Sequence, residues 1–176
     1  GHNRENVAVS LAVLRILGID LPARDLMEGF APLPHRCEHA GSVDGVVYVD
    51  DSKGTNVAAS VTAMTSLEGR KVVILGGRGK GEDYAPLAEA VVREADAAVL
   101  LGEEREAIAD ALRKAGFSAI RMAENMEEAV LTARELARPG MTVLLSPACT
   151  SWDMYANYGE RGDHFRSIVR GLKVGP

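Results

Sequence analysis

The sequence predicts an α/β fold, a mostly parallel β-sheet covered by helices on both faces. Three observations carry this. Short apolar and β-branched runs alternate with amphipathic stretches of helical period. The runs are nearly continuous in hydrophobicity, as strands buried on both faces must be. Glycines, prolines and capping residues punctuate the junctions, giving the strand–helix alternation of crossover-linked parallel strands.

The chain opens at Gly1-His2-Asn3, without an initiator Met, straight into a helical pattern. Val7, Leu11 and Leu14 share one stripe and Gly18 is its stop. Such an opening is expected of a piece cut from something longer. A second short helix is expected over 23–30. Ala31-Pro32-Leu33-Pro34 then places two prolines within three residues. Each lacks an N–H and pushes its predecessor toward extended backbone, so a domain boundary is expected here, between 1–32 and 33–176.

Residues 37–43 and 46–50 are expected to pair as a hairpin across Asp44-Gly45, a strong turn signal. A helix over 56–67 precedes a strand at 71–75, and a helix over 84–94 precedes a strand at 97–101. A helix over 103–115 stops at Gly116 and leads to a short strand near 119–122. Asn125-x-x-Glu128 opens the next helix as a capping-box-like pattern, and Pro139-Gly140 bounds it. A strand at 142–145 and a final helix over 154–172 end the chain.

Composition narrows the function. At about 150 residues per domain, 176 residues make one domain and a remnant. The net charge of −5 and the absence of a basic run give nothing to attract nucleic acid or anionic lipid. No apolar stretch approaches the roughly 18 residues a membrane helix needs. The two cysteines, Cys37 and Cys149, form neither a disulfide framework nor a C-x-x-C pair, so a cytoplasmic setting is expected.

Ligands of such sheets sit at the carboxyl ends of the strands. That selects the segments 50–56, 76–83, 102–104 and 146–153, of which the third reads as a plain connector. Gly76-Gly77-Arg78-Gly79-Lys80-Gly81 lets backbone N–H groups approach an anion, with Lys80 as a point charge; a flexible turn with a solvated lysine has the same composition. It is neither a Walker A loop nor G-x-G-x-x-G. Asp50-Asp51-Ser52-Lys53-Gly54-Thr55-Asn56 suits a polar ligand or a metal-bound phosphate, or simply a loop that ends by capping a helix.

Ser146-Pro147-Ala148-Cys149-Thr150-Ser151-Trp152-Asp153 offers hydroxyls and free N–H groups for a carboxylate. Cys149 as a nucleophile is the alternative, but no activating base is near in sequence, and a small buried thiol is the better reading. His35-Arg36, just past the prolines, could reach a phosphate at a domain junction or form a surface turn. Asn3 and Asn6 lie a helical turn apart; Asn3 could equally be an N-cap. The histidines and cysteines have no metal-ligand spacing, so no metal site is expected.

Taken in order, these motifs resemble one family. Asp51-Ser52-Lys53-Gly54-Thr55-Asn56, Gly76-Gly77-x-Gly79-Lys80, Ser146-Pro147-Ala148-Cys149-Thr150-Ser151-Trp152-Asp153 and Asn157-Tyr158-x-x-Arg161-Gly162 follow His2-Asn3-x-x-Asn6 and Leu33-Pro34-His35-Arg36. The series is similar to the C-terminal part of the Mur ligases, and within them to the D-glutamate-adding branch. Gly54 departs mildly, standing where Ala is more usual.

The resemblance implies an ADP-forming ligase that makes an amide bond through an acyl phosphate, with ATP and Mg2+ as cofactors of the full-length enzyme. It implies a Rossmann-like domain over 33–176, preceded over 1–32 by the helical tail of a central ATPase domain. Carried over by position, Asn3 and Asn6 would lie against adenine, and Arg36 and Asp51 would serve the nucleotide with His35 close by. Thr55 and Lys80 would hold one carboxylate of D-glutamate; Ser151 and the backbone near Trp152 and Tyr158 would hold the other. Lys53 and Arg161 match motif positions whose roles the resemblance leaves open. No P-loop and no UDP-sugar domain is present in these residues, so the chain alone is expected to be inactive and to hold no cofactor tightly. The alternatives are another Mur-type or folylpolyglutamate-type ligase domain, or a free-standing anion- or nucleotide-binding module.

Overall fold

The computed structural model describes residues 2–27 and 33–172. The chain divides into two compact units, Gly1–Leu33 and Pro34–Pro176. In the first unit α1 spans His2–Ile16 and α2 spans Ala23–Met27. Helix α1 stops as its sequence predicts. Gly18 takes φ 77°, and the N–H groups of Gly18 and Ile19 fold back onto Arg15 and Leu14 carbonyls at 3.0 and 2.9 Å. That double closure is a Schellman stop, and glycine reaches its left-handed φ without a Cβ penalty. The remainder of the helix expected over 23–30, and the Ala31-Pro32 step, lie outside the described residues.

The second unit runs β1(Glu38–Val43), β2(Val46–Asp50), α3(Val57–Ser66), β3(Lys71–Gly76), α4(Ala85–Glu94), β4(Ala95–Leu101), α5(Arg105–Lys114), β5(Ile120–Met122), α6(Met126–Leu136), β6(Thr142–Leu145) and α7(Tyr158–Gly171). The six strands form one sheet in the order β1-β2-β6-β3-β4-β5. Only the β1–β2 hairpin is antiparallel. Its Asp44-Gly45 corner has φ 53° and 76°, the paired positive values of a tight hairpin turn.

Alternation along the central strands splits the core in two. Val73 and Leu75 of β3 and Leu100 of β4 pack with Met64, Leu87 and Ile108 from α3, α4 and α5. Val72, Ile74 and Leu101 turn the other way, onto Met126 and Val130 of α6 and Phe165 of α7. Period-2 alternation with apolar residues at every position is what a doubly covered sheet requires. The sheet therefore carries helices on both faces.

The largest departure from an expected boundary is at the last helix; β4 and α5 begin within two residues of expectation. The last helix begins at Tyr158, not at 154. Asn157 caps it by accepting a hydrogen bond from the Glu160 N–H at 3.0 Å, and the Glu160 carboxylate accepts one from the Ala156 N–H at 3.1 Å. Residues before the cap are drawn into turns instead, with the Met154 and Tyr155 N–H groups both closing on the Ser151 carbonyl. A capping residue inside an apolar stretch overrides helical periodicity because it satisfies otherwise orphaned N–H groups.

This topology positions a crevice. Strand β6 lies between β2 and β3, yet it leads to α7 on one face while β2 and β3 lead to α3 and α4 on the other. The loops following β2, β6 and β3 thus stand side by side at the carboxyl edge and part to opposite faces. Such a switch point is where open α/β sheets bind ligands.

Candidate functional site

The loop after β2 is fixed by buried polar contacts. Asp50 is fully buried and its carboxylate contacts His35 Nδ1 at 2.7 Å and accepts from the Ser52 N–H at 2.9 Å. His35 takes φ 58°, and its ring rests so close to α7 that a Cβ on Gly162 would come within 2.2 Å of Nδ1. Asp51 accepts from the Cys37 N–H at 3.2 Å and from the Ser146 hydroxyl at 2.6 Å. Burial pushes the Asp51 carboxyl above the usual range, and these two hydrogen bonds hold it partly back. Ser146 in turn contacts Ser60 Oγ at 2.9 Å, and Ser60 Oγ accepts from the Ala148 N–H at 2.9 Å, supporting Ala148 at φ 60°. Side chains from four segments hold two loops in one geometry.

The glycine turn after β3 is stitched to the loop after β6. Arg78 and Thr150 exchange backbone hydrogen bonds at 3.0 and 2.9 Å, and the Thr150 hydroxyl adds one to the Arg78 carbonyl at 2.8 Å. The Arg78 guanidinium makes a bidentate pair with Glu103 at 2.9 and 2.7 Å. Gly77 must be glycine for close approach: at φ 134°, an added Cβ would lie 2.2 Å from the Thr150 carbonyl oxygen.

Arg161 of α7 ties the loop after β2 to the loop after β6. It is 2% exposed, and its guanidinium donates to Ser52 Oγ, the Ser52 carbonyl and, through two nitrogens, the Cys149 carbonyl, all at 2.9–3.1 Å. No carboxylate pairs with it among the described residues. Burial without a counter-ion lowers its pKa to about 10, so it stays charged at neutral pH.

Within this frame the sequence-predicted residues fall as follows. Thr55 is half-buried and Lys80 exposed, and neither side chain has a hydrogen-bond or ion-pair partner among the described residues. Ser151 is 2% exposed, and its hydroxyl is buried with no partner. Trp152 projects outward at 63% exposure. Tyr158 opens α7, its hydroxyl accepting from Lys53 Nζ at 3.0 Å while the ammonium stands 4.6 Å from the ring centroid. Arg36 is exposed beside buried His35 and Asp51. Asn6 is exposed on α1, and the Asn3 side chain lies outside the described residues.

Sequence reasoning placed Asp50, Ser52 and Ser146 in the selected loops without seeing their supporting contacts, and it gave Ser60 and Glu82 no role. Asp50 carried one signal, an acid ending a strand buried on both faces, which demands a partner. Ser60 carried none, since it meets Ser146 across 86 residues of chain.

The site offers no activated thiol. Burial raises Cys149 to about 11 and Cys37 to about 12. Cys149 is tucked against the Tyr84 hydroxyl at 3.4 Å. At pH 8 a thiol of pKa about 11 is roughly a thousandth thiolate. Thiol labelling of the folded chain at pH 8 should therefore be slow at both free cysteines and fast at both once the chain is unfolded. A rapidly labelled native Cys149 would reinstate it as a nucleophile.

His35, Glu38 and Asp50 form the one cluster of metal-ligating types found among the described residues. Its donors are already committed. Glu38 accepts from the His35 N–H at 3.0 Å and pairs with Arg166 at 2.8 Å, while His35 Nδ1 is engaged by Asp50. It reads as a scaffold, and it does not fit a metal.

Comparison with known proteins agrees with this geometry. Residues 35–149 match the family described as Mur ligase, glutamate ligase domain. The UDP-N-acetylmuramoylalanine–D-glutamate ligase of Pelotomaculum thermopropionicum is 44% identical over 175 residues, covering 99% of this chain and 38% of that protein. The enzyme of the same name from Cupriavidus pinatubonensis is 47% identical over 176 residues, covering 98% of this chain and 34% of that one. The chain thus spans little more than a third of the length of these curated relatives. Among solved structures, the UDP-N-acetylmuramate-alanine ligase of Thermotoga maritima superposes with a TM-score of 0.66 at 18% identity, covering 98% of this chain and 38% of its own. The Mycobacterium tuberculosis folylpolyglutamate synthase complexed with ADP gives 0.65 at 20%, covering 93% and 38%. These likenesses share the fold. With the sequence match running from His35 through the loops after β2 and β3 and into the loop after β6 as far as Cys149, the chain belongs to the Mur ligase family and carries its glutamate ligase domain.

Proposed function

We propose that this chain is the acceptor-amino-acid portion of a cytoplasmic, ATP-dependent, ADP-forming ligase that adds D-glutamate to UDP-N-acetylmuramoyl-L-alanine in peptidoglycan synthesis. The observation that carries the reading is a set of uncommitted donors on stitched loops. Ser151 Oγ is buried without a partner, and Lys80 Nζ is exposed without one among the described residues. A buried unpaired hydroxyl is costly, and a ligand carboxylate repays that cost. A dicarboxylic amino acid needs two separate donor groups: Thr55 with Lys80 for one carboxylate, Ser151 with the backbone near Trp152 and Tyr158 for the other.

Holding both carboxylates fixes the direction of the amine, which must reach an activated carboxyl carbon. Orientation of this kind converts a bimolecular encounter into a near-unimolecular step and is the domain's contribution to rate. Lys53 and Arg161 act indirectly, Lys53 by steadying Tyr158 and Arg161 by joining the loops. The nucleotide is assigned to Asn3, Asn6, Arg36 and Asp51, with His35 holding the turn that carries Arg36. ATP supplies the phosphoryl group that activates the substrate carboxylate. Magnesium finds no fitting donor set in the described residues of this chain, and no step here is routed through it. We assign residues 1–32 to the tail of the central ATPase domain and 33–176 to the C-terminal domain.

In NMR titrations of the chain, D-glutamate is expected to shift the amides of Thr55, Lys80 and Ser151 more than L-glutamate, D-alanine or diaminopimelate do, and Lys80→Ala to abolish the shifts. Preference for L-glutamate would favour a folylpolyglutamate-type ligase. ATP-dependent amide synthesis by the isolated chain would overturn its assignment as one part of the enzyme.

A further inference from the structure

Glu82 belongs to none of the motifs that carry the family resemblance, yet it makes a contact that bears on the site. Its carboxylate accepts a hydrogen bond from the Val57 N–H at 3.0 Å, at the first residue of α3, across 25 residues of chain. The Asn56 side chain takes the Ala59 N–H at 2.8 Å, so the two side chains satisfy the first and third N–H groups of the helix.

The location of this bond sets its consequence. Thr55 lies two residues before Val57, and Lys80 lies two residues before Glu82. One hydrogen bond therefore ties together the two short segments whose side chains are left without partners. The first half of the glycine turn is already held by the Arg78–Thr150 pairing and the Arg78–Glu103 ion pair. The second half is not. Gly81 sits at φ 75° with nothing within 4 Å of where a Cβ would be, and Lys80 is exposed and unpaired among the described residues. Glycine backbone left unheld samples many conformations, and a lysine carried on it would be averaged over as many positions.

We propose that Glu82 is a positioning residue that latches the Lys80-bearing end of the glycine turn to the start of α3, setting Lys80 beside Thr55 for one carboxylate of the acceptor amino acid. The inference rests on the acceptor-site reading above. It assigns Glu82 no contact with substrate; its effect passes through Lys80. Because the latch acts on binding geometry, its loss should fall on the acceptor amino acid and leave the nucleotide untouched.

The test uses the complete ligase for kinetics and this chain for hydrogen exchange. Glu82→Ala is expected to raise KM for D-glutamate about tenfold, with KM for ATP unchanged and kcat altered less than KM. Glu82→Gln keeps an acceptor oxygen and should recover most of that loss. In the chain, Glu82→Ala should speed exchange at the Val57 amide while β3 amides keep their protection. Lys80→Ala serves as the separate control on the acceptor-site reading. If Lys80→Ala raises KM for D-glutamate while Glu82→Ala does not, the latch is overturned and the site stands. If Val57 exchange is unaltered in Glu82→Ala, the hydrogen bond does not form in solution and the proposal fails. If Lys80→Ala leaves KM unmoved, the acceptor-site reading falls and takes the positioning role with it, whatever the exchange data give.

Discussion

Replacing Arg161 with alanine is expected to destabilise the chain by about 3 kcal/mol, which for a domain of this size corresponds to roughly 6–12 °C in melting temperature. The arithmetic follows from its four hydrogen bonds. Removing the guanidinium leaves the Ser52 and Cys149 carbonyls without the donors they face, each at a cost of about 1–3 kcal/mol, and opens a void where a large side chain was fully buried. Relief of the charge's own burial offsets part of this, consistent with its lowered pKa. Ser52 Oγ still donates to the Tyr158 carbonyl at 2.7 Å, so that contact survives. Arg161→Lys, with one amine for three acceptors, should recover only part of the loss. Thermal unfolding followed by circular dichroism measures both variants. A shift under about 2 °C for alanine would mean the loops are held by the serine network alone.

Gly77→Ala should be at least as damaging, at more than about 3 kcal/mol. Two costs combine at this residue. Its φ of 134° is disfavoured for any residue with a Cβ, and that Cβ would meet the Thr150 carbonyl oxygen at 2.2 Å, with Arg161 Nη1 and Cys149 Cβ both at 3.2 Å. None of these can yield cheaply, because the oxygen is backbone paired to Arg78 and the guanidinium is itself pinned. Gly81→Ala is the matched control. It shares a positive φ, 75°, but has open space around it, so only the backbone preference of about 1–2 kcal/mol applies. Equal melting temperatures for the two variants would show that steric approach at Gly77 is not what holds the turn to its neighbour.

The two predictions divide along what can be read from a sequence. The glycine run was visible as a run, with its anion-binding composition and its place at a strand end. Which of its members needed glycine was not, since Gly77 is constrained by Thr150, 73 residues further on, while Gly81 is constrained by nothing nearby. Likewise Arg161 stood in a recognisable motif, but only the fold showed it buried with neutral oxygens. The final helix shows the converse case. It was expected from 154, and local hydrogen bonding at the Asn157 cap starts it at Tyr158 instead.

Local chemistry by itself determined the α/β alternation, the Asp44-Gly45 hairpin, the glycine stop of α1 and the asparagine caps of α3 and α6. Each depends on residues within a few positions of one another, so short-range sterics and hydrogen bonds decide them. Tertiary structure alone decided the sheet order, which brings the ends of β2, β6 and β3 together, and the partners that brace those ends: Asp50 for His35, Asp51 for Ser146, Glu82 for the start of α3. Those pairings follow from burial, which forces every enclosed polar group to find a partner wherever in the chain the fold has carried one.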